Sequence, residues 1–147
     1  MKTALFQAAA LAALSLCSMA SFAQTTVKDA WVRGTVAQQK ATGAFMQITS
    51  AQGGKLLSAQ SPVAGIVEIH EMSMSGDVMK MHAVPGLALP AGQAVELKPG
   101  GFHMMMMDLK QQLKAGDSVA LTLVVEGKDG KRETLQLKVP VKALGAP

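Results

Sequence analysis

Cysteine, tyrosine and aromatic bulk are what this chain has least of. Its 147 residues contain 1 Cys, no Tyr, 1 Trp and 4 Phe. A lone thiol excludes an intrachain disulfide framework and a Cys-based zinc site. Charge is also thin, with 14 Lys+Arg against 10 Asp+Glu and a net charge of +4. The basic residues are scattered. Beyond residue 23 the aromatics are Trp31, Phe45 and Phe102, too few for a base-stacking platform, so nucleic acid is not an expected partner. The mild basic excess gives only a weak bias toward an acidic docking partner. The chain contains no Gly-x-Ser-x-Gly elbow, no His-Glu-x-x-His and no phosphate loop, so no enzymatic activity is expected. The length suits one domain, and an apolar fraction of 49% argues against disorder.

The first 23 residues read as a leader. Lys2 supplies a positive start, residues 4–16 are an apolar run broken only by Gln7 and Ser15, and Ser21-Phe22-Ala23 sets small residues three and one before a cut. That is the three-part pattern of a secretory signal peptide. The apolar run is short for a bilayer span, so no membrane span is expected after cleavage. Leu16 is large where small residues normally precede a lipidated Cys, which disfavours a lipoprotein anchored at Cys17. The expected division is residues 1–23 as signal peptide and 24–147 as one exported domain. Cys17 leaves with the leader, so the mature chain enters an oxidising compartment, the periplasm, without a thiol.

The mature chain is rich in something else. Of 11 Met, nine remain after the leader is removed. Short β-prone runs at 27–33, 43–49, 55–61, 66–72, 78–84, 94–98, 102–107, 118–126 and 133–141 alternate with Gly-, Pro- and Ser-containing turns. Many short strands at this spacing predict an all-β sandwich or barrel. In the run 118–126, Val119, Leu121, Leu123 and Val125 share one face, and Leu135, Leu137 and Val139 alternate likewise. The stretch 108–115 is left open between a short helical turn and a loop.

Met46 stands alone, but the other eight mature Met fall within 72–81 and 104–107, and His70, His82 and His103 lie in or beside those groups. Core-filling Met needs no such company. Strand alternation sorts them further. His103, Met105 and Met107 share a face, while Phe102, Met104 and Met106 share the other, which reads as core. His70 and Met72 share a face, as do Met79 and Met81; His82 points away from them. A hairpin centred between Ser75 and Gly76 would set Met72 opposite Met79 and His70 opposite Met81, with Cβ atoms about 4.5–5.5 Å apart. The expected metal set is therefore His70, Met81, His103 and Met105, with Met72, Met79 and Met107 undecided between shell, rim and core. Thioether sulfur is soft and suits Cu(I), and imidazole suits copper among other metals. A set of two His and two Met carries no ligand charge and does not favour Zn²⁺.

The spacing His70-x10-Met81-x21-His103-x-Met105 resembles the copper motif of the PCuAC-type periplasmic copper chaperones. The stretches around residues 67–72, 78–81, 97–103 and 109–117 are similar to that family as well, and the likeness runs from about Val27 to Val141. Phe45 and Phe102 stand where members often have Tyr, and Ser50 where they often have Asn. The resemblance implies a cupredoxin-like, Greek-key β-sandwich holding one Cu(I) per chain. It also implies delivery of copper to the CuA domain of cytochrome c oxidase subunit II, directly or with a thiol-bearing assembly factor. Some members bind more copper on a His/Met-rich tail; residues 143–147 read Ala-Leu-Gly-Ala-Pro, so no Cu(II) tail site is expected.

Among rivals, blue-copper electron transfer needs a Cys ligand that the mature chain lacks. Haem ligation by His and Met would lack both an attachment motif and an aromatic pocket. Copper storage or resistance buffering would use the same four residues and is the main alternative to a carrier. A sandwich whose Met only packs is the plainest one.

Overall fold

The computed structural model describes residues 24–146, so the expected leader lies outside it. The described chain forms ten strands: β1 Thr25–Arg33, β2 Ala41–Ser50, β3 Gly54–Gln60, β4 Ala64–Ser75, β5 Val78–Ala83, β6 Leu87–Leu89, β7 Ala94–Leu97, β8 Phe102–Leu109, β9 Ser118–Gly127 and β10 Arg132–Lys142. The expected all-β class holds. Each of the nine β-prone runs is a strand. The addition is β6, a three-residue strand hidden between the turn signals Pro85-Gly86 and Pro90-Ala91-Gly92. Residues 110–115 form a loop rather than a helical turn. The loop is pinned where the Leu113 N–H donates to Thr35 Oγ1 at 2.9 Å, and Leu113 itself is buried. Among the described residues no helix is long and apolar enough to cross a membrane.

The strands follow one hydrogen-bonded path, β5-β4-β8-β2-β1-β10-β9-β3-β6, with β7 paired to β2. Only a two-pair parallel ladder, Val32↔Val141 and Arg33↔Lys142, joins the β1 half to the β10 half. The two halves therefore act as separate sheets whose inner faces share one core. Val119, Leu121, Leu123 and Val125 of β9 are buried there with Ala44, Met46 and Ile48 of β2 and Met104 and Met106 of β8. Fully burying a side chain of this size contributes about 1.5–3 kcal/mol. Met104 and Met106 are thus core fillers, as strand parity predicts, and the lone Met46 is one as well. Leu135 and Leu137 lie on the same inner face but are only half-buried.

Both ends of the path are short strands, β5 of six residues and β6 of three. Short edges limit pairing with other chains. β7 and β8 run along the same edge of β2, one after the other, with β7 facing Met46–Thr49 and β8 facing Ala41–Ala44. Between them residues 98–101 leave the sheet, with Gly100 at a φ of +86°. That excursion sets the position of His103.

Candidate metal centre

The outer face of the first sheet gathers His70, His103 and the Met residues that do not fill the core. β4 and β8 are antiparallel, with His70 directly opposite His103 and Glu68 opposite Met105. Their rings stand edge to face with centroids 5.9 Å apart. On the far side of β4, the β5 hairpin brings in Met81. Its register differs from the sequence expectation: Met72 pairs with Met81, Met74 with Met79, and His70 with Ala83. The reason is the turn. Gly76 and Asp77 form a two-residue loop between Ser75 and Val78, with φ +64° at Gly76, as a type II′ turn requires at its first central position. The hairpin is centred one residue later than expected, so every pairing shifts by two. An even shift preserves faces. His70 and Met81 still share a face, as diagonal neighbours rather than opposed ones, at a separation long side chains span.

The two imidazoles have defined hydrogen-bonding states. His103 is buried, and its Nδ1–H donates to the Gly101 carbonyl at 3.1 Å. The same carbonyl accepts the Met72 N–H at 3.3 Å. The excursion at 98–101 therefore ties β8 to β4 and orients the His103 ring, leaving Nε2 with its lone pair free. His70 uses the other nitrogen: Nε2–H donates to Glu68 Oε2 at 2.9 Å. Its Nδ1 is buried without a hydrogen-bond partner. A buried nitrogen left unpaired is costly, and a ligand is one way to satisfy it. A carboxylate or carbonyl on the second ring nitrogen is the usual support for a metal-binding histidine.

Met81, His103 and Met105 line one open cleft together with Met72. His70 flanks it through its contact with His103. The four residues expected from sequence thus come together on one face. Their exposure is uneven: His103 is 7% exposed and Met81 50%. Met72 joins the group. Met79 lies a further step out, opposite Met74 near the turn. Met107 faces Ala41 and Ile66, away from the histidines. His82 lies on the other face of the hairpin beside Glu71, with Nε2 and Oε2 3.4 Å apart.

Sequence reasoning missed the cleft's far wall. Phe45 packs on Trp31 with centroids 4.6 Å apart, and the Arg33 guanidinium sits 5.2 Å above the Phe45 ring. Gly43 makes this possible, because a Cβ there would meet Phe45 Cζ at 2.7 Å. Phe45 and Arg33 both line the cleft. Alternation within 31–33 and 43–45 carries that information once β1 and β2 are known to pair, a pairing not visible in either run alone.

A family model described as "Putative lipoprotein LpqE-like" matches residues 25–141. The chain belongs to this PCuAC-type family. A protein of Leifsonia xyli subsp. xyli named as a putative lipoprotein is 34% identical over 119 residues, 79% of this chain and 68% of that one. The Cu(I) form of DR1885 from Deinococcus radiodurans, solved in solution, is 31% identical with a TM-score of 0.59, covering 80% of this chain and 76% of that one. The copper-bound PCuAC domain of PmoF2 is 20% identical with a TM-score of 0.67, covering 82% and 94%, a likeness of fold. The cupredoxin-like sandwich expected from the resemblance is thereby shown.

Proposed function

We propose that the chain is an exported carrier of a single Cu(I) ion, held by His70, Met81, His103 and Met105. The observation that carries this reading is the donor arrangement. An unpartnered buried Nδ1 on His70 lies beside a buried His103 whose Nε2 is free, and two thioethers share their face. The set is neutral, soft and free of thiolate, which suits Cu(I) over Zn²⁺. The copper-loaded forms of DR1885 and of the PmoF2 domain support it. Names of relatives as lipoproteins support export, with the periplasm as the compartment. The ion is cargo, not a catalytic group, and the reading is of a carrier rather than an enzyme.

The acceptor we propose is the CuA domain of cytochrome c oxidase subunit II, reached directly or through a thiol-bearing assembly factor. The exposure of Met81 favours a carrier over a store, because an exchangeable ligand must be reachable. Two measurements test this. X-ray absorption of the Cu(I) protein is expected to show a mixed shell of sulfur and nitrogen, and an all-nitrogen/oxygen shell refutes the site. Mixing the Cu(I) protein with an apo CuA domain is expected to move the metal, and retention favours storage.

A further inference from the structure

Four of the thioethers on the hairpin form two directly opposed pairs on one face: Met72 with Met81, and Met74 with Met79. Only Met81 belongs to the set argued above. Met74 and Met79 are 63% and 55% exposed. They therefore differ from Met46, Met104 and Met106, which are at most 2% exposed and fill the core. At an edge strand, large exposed apolar side chains are a liability that short edges and charges normally offset. Packing gives them no reason to be Met. Directly opposed residues bring Cβ atoms to about 4.5–5.5 Å, and the two pairs are separated by two residues, about 7 Å along the strand. The charged and polar neighbours on the hairpin, Glu71, Ser73, Lys80 and His82, project from the other face. On this face of the paired strands the donors at the tip are two neutral thioethers, with the Asp77 carboxylate in the turn beyond them.

We propose that Met74 and Met79 form a second, weaker Cu(I) site at the tip of the β4–β5 hairpin, through which the ion passes to and from the His70/His103 pair. It rests on the reading of the inner site given above. Two thioethers bind a soft d¹⁰ ion less firmly than a set that includes two imidazoles, so the tip fills second and exchanges faster. Movement from Met74/Met79 to Met72/Met81 is ligand exchange: one Cu–S bond forms as another breaks. The metal stays Cu(I), and no proton or electron moves. Exposure falls along the way, from Met74 at the tip to the half-buried Met72 and the buried His103.

The test uses the mature protein carrying ¹³C-labelled Met methyl groups, titrated with Ag(I) as a redox-inert stand-in for Cu(I). The first equivalent is expected to shift the Met81 and Met105 methyls, and further Ag(I) to shift Met74 and Met79. The double variant Met74→Leu, Met79→Leu preserves side-chain volume at exposed positions and should keep the first event while losing the second. It should also release Cu(I) to bicinchoninate several-fold more slowly at unchanged affinity for the first ion. If the first equivalent leaves Met81 and Met105 unmoved, the inner site is wrong. If excess Ag(I) leaves Met74 and Met79 unmoved, the tip site is wrong, whatever the inner site does. Unchanged release from the double variant overturns the passage role.

Discussion

The hydrogen bond from His70 Nε2 to Glu68 makes a sharp demand on copper affinity. Glu68→Ala removes the acceptor that fixes which nitrogen of His70 carries the proton. The ring then loses its orientation, and the nitrogen left bare can be either one. Loss of such outer partners typically costs 10- to 100-fold in metal affinity. Glu68 is 46% exposed, so water replaces part of what the carboxylate supplied. The low end of that range applies, about tenfold or ~1.4 kcal/mol. Anaerobic competition against bicinchoninate measures it directly.

Two companion variants separate orientation from charge. Glu68→Gln deletes the negative charge but keeps an oxygen acceptor, so it should recover most of the lost affinity. Glu71→Ala deletes a carboxylate one residue from His70 that projects to the other face, where it approaches His82. It should bind copper like the parent chain. Wild-type affinity in Glu68→Ala would refute the orienting role. Equal losses in Glu68→Ala and Glu71→Ala would show that only net charge matters.

Leu123→Ala, at a fully buried position in β9, should lower stability by about 2–5 kcal/mol in urea unfolding. The intact mass of the exported protein should correspond to a chain beginning at Gln24, and a lipid-modified Cys17 would overturn cleavage after Ala23.

Strand parity made most of the site legible from sequence, because it needs only counting along one strand. It assigned Met104 and Met106 to the core, where both are fully buried, and set His103 and Met105 on the opposite face, where they pair with His70 and Glu68 of β4. Pairing between strands was harder. The β4–β5 register depends on which two residues make the turn, and Ser75-Gly76-Asp77 admits more than one choice. The backbone settles it by placing the positive φ at Gly76. The face survived that error because the shift was even. Three things were not legible at all: the strand Leu87–Leu89, too short to show a period; the partner of each His nitrogen; and the Arg33–Phe45–Trp31 stack. The strand and the stack depend on pairing between separate segments, whereas the His nitrogens find partners only two residues away, Glu68 and Gly101, which alternation alone does not single out.

The uneven exposure of the four proposed donors bears on the order of events during the proposed transfer. Behind His103 lies the buried core of the sandwich, and its Nδ1–H is tied to Gly101. An incoming ligand cannot displace it from that side. Met81 stands on an edge strand, half-exposed and with no hydrogen bond to break. On the proposed carrier role, an acceptor sulfur that reaches the inner site directly, rather than by way of the hairpin tip, replaces Met81 first and the imidazoles last. A thiolate brings a charge that a neutral thioether lacks, so the exchange runs downhill once the first bond has formed. A stepwise release of this kind needs the site to be rigid on one side and open on the other. The tie at residues 98–101 gives the first, and the β5 edge gives the second.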